Sequence, residues 1–523
     1  MLLKIEDMTL EQKLGMLCCA RNFSDMDYIL ELVRKRALGC IQVSSLYADI
    51  AQKIVEEADY PILVFNDTEA GFSDKKLPPI PLMSLAACGK KEYYRAYAKW
   101  VSNEATEAGF NGTWGPIVDI VHKPKNLSGI PNGSHRRLSN NPYTIIDATS
   151  EIAAVYKQNR YLSTAKHYPG GDPGFDTHMT EGICDRTAEE LLEFELIPYF
   201  ELLKKDLMPC VMVGHTVYKN IDPDRPASLS KKVIDVLRDK VGFDGILFTD
   251  SLAMMGIIQK YGEENIYGMA IAAGNDIVLH NYRTTVEETM NYLKKSYEDG
   301  VFSEERLNES VRRILKAMEF VGEKPENPLP FTEEDEQLLR NVAKDCITAV
   351  VDDELPVNLT TPDKERMFVI VERTEVEDGS DINEITFAEW YDSKRIAEKI
   401  KEEFPESEVV SVPEFSTYVN HERILNKARD YKEIVFVTYC HFAPYLGVDE
   451  LTKRTESLMN ALLQSKKLST VVHFGTPYAL KNLIHIPRKI FGYMIPDSQD
   501  YAIDVLKGNI EAKGKLPYEI DFK

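Results

Sequence analysis

No run of about 18 apolar residues, the length needed to cross a bilayer, occurs in the 523-residue chain, so no membrane span is expected. No C-x-x-C pair occurs either. Cys18, Cys19, Cys40, Cys88, Cys184, Cys210, Cys346 and Cys440 are scattered, mostly in apolar runs. That pattern argues against zinc and dithiol motifs and for buried thiols in a reducing, cytoplasmic compartment. Positive charge is short: 62 Lys and Arg against 84 Asp and Glu leave a net charge of −22. A chain this acidic repels nucleic-acid phosphates and anionic membranes, so neither is an expected partner. The opening "MLLKIEDMTLEQKLGMLCCA" has no basic segment leading into an apolar stretch, so no secretion signal is expected.

What is present reads as globular, with 44% hydrophobic and 28% charged residues. The length exceeds one ordinary core and fits two domains. Short apolar runs alternate with helical patterns over the first three-fifths: "GCIQVSS" (39–45), "PILVFND" (61–67), "TWGPIVDI" (113–120), "YLSTAKHY" (161–168), "CVMVGHTVY" (210–218), "GILFTDS" (245–251) and "DIVLH" (276–280). Between them lie amphipathic segments such as "KEYYRAYAKWVSNEATEAG" and "SKKVIDVLRDKVG". This alternation predicts parallel strands joined by helical crossovers, and the number of units predicts a (β/α)8-like TIM barrel over 1–322, with an open doubly wound sheet as the alternative. A Pro- and acid-rich stretch then predicts a linker over 323–340. New strands at "RMFVIVER", "EIVFVTYC" and "LSTVVHFG" predict a smaller α/β sandwich over 341–523. His441 and His473 follow strands there without a nucleophile or metal spacing beside them, which favours a packing role.

Polar residues fall at the carboxyl ends of the first-domain strands: Asp67, Asp119, Lys166 with His167, His215, Asp250 and His280. One such residue is an accident of strand exit; six is the pattern of a catalytic face. The densest stretch is "AKHYPGGDPGFDTH" (165–178), on the loop after a strand. Asp176 stands two residues from His178, and a carboxylate beside an imidazole makes a proton donor and acceptor near neutral pH. Asp250 can serve as nucleophile, or as the N-cap of the next helix. Lys166 and His167 are neighbours that would face opposite sides of a regular strand. Arg136, in "GSHRRLSNNPY", could clamp hydroxyls or an anion, or be an ordinary surface arginine. His167, Asp172, Asp176 and His178 are all of ligand type, but no tight histidine spacing joins them, so no metal and no cofactor are expected.

Taken in order, these segments resemble glycoside hydrolase family 3, and within it the β-N-acetylhexosaminidase branch. "MTLEQKLGML" resembles the opening helix, "VFNDTEAGF" the D-x-E-G-G segment, "GPIVDI" and "RRLSNNP" the third strand and arginine loop, and "KHYPG" a strand end. "IDPDRPASLSKKVIDVLRDKVGFDGILFTDSLAMMGI" is the most specific block and ends in the family's nucleophile motif. The resemblance implies Asp250 as nucleophile, and His178 with Asp176 as the acid/base dyad, Asp-Thr-His standing where the branch has Asp-Ser-His. It implies Asp67, Arg136, Lys166 and His167 as sugar contacts, with His215 and Met254 lining the same pocket. The chain departs from the pattern in reading "KHYPGGDPG", one residue shorter than usual, and in Ala70, Lys75 and Leu138.

The activity so implied is that of a retaining, exo-acting β-N-acetylglucosaminidase on a small carbohydrate, such as a peptidoglycan fragment met in cell-wall recycling. Three alternatives stand beside it: a phosphorylase using phosphate in place of water, a β-glucosidase, and a non-catalytic sugar-binding relative. The sequence allows a homodimer.

Overall fold

The computed structural model describes residues 3–21, 25–72, 77–120, 136–171, 177–281, 283–352, 354–373, 390–440 and 451–520. The chain divides into two compact units. The first comprises Met1–Leu77, Lys91–His122 and Asn141–Gln337; the second comprises Pro78–Lys90, Lys123–Asn140 and Leu338–Lys523.

In the first unit the strands are β1 (Cys18–Arg21), β2 (Cys40–Gln42), β3 (Leu63–Asn66), β4 (Gly112–Thr113), β5 (Thr164–Tyr168), β6 (Ile183–Cys184), β7 (Cys210–Val213), β8 (Val217–Tyr218), β9 (Ile246–Thr249) and β10 (Val278–Leu279). All pair in parallel. They form a five-stranded sheet in the order β10-β1-β2-β3-β4, a three-stranded sheet β5-β7-β9, and the small pair β6-β8. Single parallel bridges, Gly112 to Leu162, Ile117 to Lys166 and Phe248 to Ile277, link the edges of the two larger sheets. The α/β expectation is met in this form. Among the described residues the paired ladder does not run as one closed barrel. The reason is local: β4 and β10 are two residues long, and Pro116 cuts the ladder beyond β4 by removing a donor. β1 is absent from the sequence-based strands, because its Cys-Cys-Ala follows the helix Leu10–Met16 directly.

Strands such as β3, β7 and β9 are buried along their whole length, which is why they read as continuous Val, Leu, Ile and Phe rather than as alternation. Phe65 and Trp114 meet Phe248 across the two sheets, at centroid distances of 5.4 and 4.7 Å, and lie 4.5 Å from each other. Gly112 makes room for them: a Cβ there would come within 2.4 Å of the Phe65 ring.

Before β10, the fully buried Asp276 collects three guanidinium groups: Arg238 at 2.7 Å, Arg306 at 2.8 Å and Arg313 at 3.3 Å. The Ser310 hydroxyl and the Leu247 N–H also donate to it, at 2.8 and 3.0 Å. Burial pushes its pKa up, but the three arginines outweigh this and hold the carboxyl below its usual range. The cluster ties the long helix Glu304–Gly322 and the segment after Lys231–Asp235 to the amino ends of β9 and β10.

The second unit holds one six-stranded sheet, β11 (Thr348–Val351), β12 (Arg366–Glu372), β13 (Glu408–Pro413), β14 (Glu433–Tyr439), β15 (Leu468–Phe474) and β16 (Arg488–Phe491), in the order β11-β16-β15-β14-β12-β13. Only β11 is antiparallel. The chain steps one way from β12 to β13 and the other way from β14 through β16. With right-handed crossovers this places helices on both faces. The segment "EQLLRNVAKDCITAV" starts as helix and ends as strand: helix stops at Asp345, and the β-branched residues that follow pair with β16 as β11. His473 is buried, and its Nε2 donates to the Thr476 carbonyl at 3.1 Å; burial lowers its pKa to about 3. His441 lies outside the described residues.

The Asp276 cluster makes a test of the first unit. Asp276→Asn leaves three partly buried guanidinium groups without their counter-charge and should destabilise the unit by about 3–5 kcal/mol. Urea unfolding followed by circular dichroism would measure it, and an unchanged midpoint would show the cluster to be incidental.

Candidate active site

Because the strands are parallel, their carboxyl ends share one face. β3 runs out into Asp67 and Glu69, β5 carries Lys166 and His167, β7 leads to His215, β9 to Asp250, and β10 to His280. Asp119 follows β4.

The Lys166 ammonium is almost wholly buried, with a side-chain exposure of 3%. A buried cation needs a partner, and it has two: Glu69 at 2.5 Å and Asp67 at 3.3 Å. Asp67 itself is exposed and accepts from Gln42 Nε2 at 3.4 Å. The β5–β7 register slips between Lys166 and Tyr168, so His167 is bulged out of the alternation. This resolves the problem of two neighbouring site residues on one strand. Asp119, buried, takes the His167 N–H on one oxygen and the His167 ring Nδ1 on the other, each at 2.8 Å. The carboxylate can only accept, so Nδ1 carries a proton and Nε2 is the nitrogen left for a ligand.

His215 is fixed as firmly. Its Nε2 lies 3.0 Å from the Ser251 carbonyl and its Nδ1 lies 2.7 Å from the Ser228 hydroxyl. The carbonyl cannot donate, so Nε2 holds the proton and Ser228 donates to Nδ1. Burial lowers the His215 pKa, against the pull of Asp250. Asp250 is half-buried, and its Oδ1 accepts from the Ser251 N–H at 2.6 Å. Burial pushes its pKa up, but His167, His215 and His178 in turn outweigh this, and the group is held well below the usual carboxylate range.

His178 sits half-buried in a turn, and its carbonyl accepts from the Met255 N–H at 3.1 Å. Met254 is buried and starts the helix Met255–Tyr261. The structure thus brings Asp67, Lys166, His167, His215, Met254 and Asp250 to one face, with His178 within electrostatic reach of Asp250. Arg136 belongs to the second unit, in the segment whose Arg137 and Asn140 bond Tyr518 and Glu519. Asp176 and Asp172 lie outside the described residues. Two contributors carried no assigned role in the sequence reading: Glu69, which stands two residues past Asp67, and Asp119 as the partner of His167. The need of a strand-end lysine for a counter-ion is the signal that points to Glu69. Among the described residues no group of three or more His, Cys, Asp and Glu could hold a metal ion, and no helix is long and apolar enough to cross a membrane.

The arrangement suits chemistry in which a permanently ionised carboxylate meets an electrophilic carbon beside a histidine that moves a proton. Known proteins resemble this chain in sequence and in fold. The profile of the glycosyl hydrolase family 3 N terminal domain matches residues 10–317. A β-N-acetylglucosaminidase/β-glucosidase of Cellulomonas fimi is 27% identical over 338 residues, 61% of this chain and 59% of that protein, so the chain matches about three-fifths of that relative's length. A solved family 3 β-N-acetylglucosaminidase from Paenibacillus sp. str. FPU-7 superposes with a TM-score of 0.78 at 22% identity, covering 99% of this chain and 100% of that one. A β-glucoside phosphorylase superposes at 0.80 and 20% identity, covering 99% and 94%. At these identities the structural likeness concerns the fold.

His280 gives the face a pH signature. It is buried, with its Nδ1 2.8 Å from the Thr289 hydroxyl; burial first, and Arg21 second, lower its pKa to about 4. The unfolded chain binds this proton below about pH 6.5, whereas the folded chain waits until about pH 4. Stability therefore falls as pH drops through that window, by up to about 3 kcal/mol from this group. Denaturant midpoints at pH 7 and 4.5 should differ less in His280→Asn than in the parent, and an equal difference would refute the assignment.

Proposed function

The chain belongs to glycosyl hydrolase family 3, and from that premise we propose that it is a retaining, exo-acting β-N-acetylglucosaminidase. The observation that carries this reading is the half-buried carboxylate Asp250 at the end of β9, with His178 in a turn whose carbonyl is tied to the Met255 N–H, on the segment that follows Asp250. Asp250, ionised throughout the neutral range, attacks the anomeric carbon through an oxocarbenium-like transition state. His178 protonates the departing oxygen, with Asp176 as the partner that orients its ring. Water then attacks the glycosyl-enzyme with His178 as base, and configuration is retained. Asp67, Lys166 and His167 hold the sugar hydroxyls, and His215 and Met254 line the pocket.

On this reading residues 1–322 form a barrel-like catalytic domain, 323–340 a linker and 341–523 the second domain. The substrate is a small saccharide derived from peptidoglycan, met in the cytoplasm. Eight cysteines without a disulfide support that compartment.

A second reading follows from the same histidine. An anionic carboxylate base would repel phosphate where an imidazole does not, so phosphate could replace water and yield a sugar 1-phosphate.

Release of 4-nitrophenol from its N-acetyl-β-D-glucosaminide, beside the β-D-glucoside and with and without phosphate, separates the readings. Faster release from the N-acetyl substrate with free sugar as product is the expected result. Asp250→Asn should lower kcat/KM by at least ~10³-fold. Unchanged turnover in that variant would sink the mechanism, and a 1-phosphate product would favour the second reading.

A further inference from the structure

The segment leaving β9 carries Asp250 and, five residues on, enters the helix Met255–Tyr261. Two features of the first turn of that helix bear on the turn that holds His178. The Met255 N–H, which an α-helix leaves without an intrahelical partner, donates to the His178 carbonyl at 3.1 Å. Gly256 has no side chain to intervene: a Cβ there would lie 2.5 Å from the Thr180 carbonyl oxygen and 2.9 Å from that of Thr177. Both are backbone atoms, so a side chain at position 256 must displace the turn rather than a rotamer. A surface ion pair, Lys260 to Glu181 at 2.9 Å, adds a third and weaker tie.

We propose that the first turn of this helix is the seat of the His178 turn, with Gly256 as the residue that positions it against Asp250. The proposal rests on the reading of His178 as acid/base. One backbone hydrogen bond and the close approach that Gly256 allows then set the separation of nucleophile and proton donor, and the element that carries the nucleophile also registers the donor. A displaced turn leaves Asp250 and the sugar contacts in place but removes the proton from the departing oxygen. The defect must therefore depend on the leaving group. An aglycone that departs as a stable anion needs no proton, whereas a sugar does.

The test compares kcat/KM for a β-linked N-acetylglucosamine disaccharide and for the 2,4-dinitrophenyl N-acetyl-β-D-glucosaminide. Gly256→Ala should lose ~10-fold or more on the disaccharide and little on the dinitrophenyl substrate, with an unchanged melting temperature. Met255→Pro is the second variant. Proline is tolerated at the first helical position, and Met254 already has φ −69° and ψ 134°, the conformation a following proline requires. It deletes only the donor to His178 and the Met255 side chain; Met255→Ala deletes the side chain alone. The same leaving-group pattern in Met255→Pro and its absence in Met255→Ala is expected. Equal losses on both substrates, or none, in Gly256→Ala and Met255→Pro would overturn the seat. His178→Ala separates the two ideas: if it shows no leaving-group dependence, the acid/base reading fails and takes the seat with it. If it does and the two variants do not, only the seat fails.

Discussion

A carboxylate held in a half-buried place at the end of a strand keeps its charge only if the protein supplies a positive field. The rest of this site is arranged around that requirement. Among the described residues Asp250 accepts one backbone hydrogen bond, from Ser251, and three histidines lower its pKa. Each of those described with partners is itself anchored. Asp119 holds His167 by both ring and backbone, and Ser228 with the Ser251 carbonyl fixes His215. The result is a carboxylate held below its usual pKa range beside firmly placed side chains. Lys166 solves the converse problem, a cation in a dry place, with Asp67 and Glu69.

These partners divide the labour. Asp119 and Glu69 are acceptors for His167 and Lys166, whereas Asp67 is exposed and also bound to Lys166. A hydroxyl entering beside Asp67 would find a carboxylate already oriented, with little side-chain entropy left to lose.

Much of this is legible in the sequence. Strand alternation marked seven of the eight main strands of the first unit, and the residues at their carboxyl ends marked the face. The failures have physical causes. β1 is hidden because two cysteines and an alanine follow a helix without a turn signal. The sequence cannot show that 78–90 and 123–140 belong to the second unit, because that depends on pairing far along the chain. Arg136 goes with them. Barrel closure is a matter of single bridges between short strands, finer than periodicity resolves. The His167–Asp119 pair depends on a one-residue bulge, and local pattern says nothing of a bulge.

β10 is only two residues long, yet it has Asp276 and its arginines before it and His280 after it. The arginine-bound carboxylate and the histidine of the carboxyl-end face are thus kept at opposite ends of the same short strand. Drift at one end costs little at the other. A lineage could exchange the residues of the carboxyl-end face while the arginine cluster keeps the scaffold folded through each intermediate.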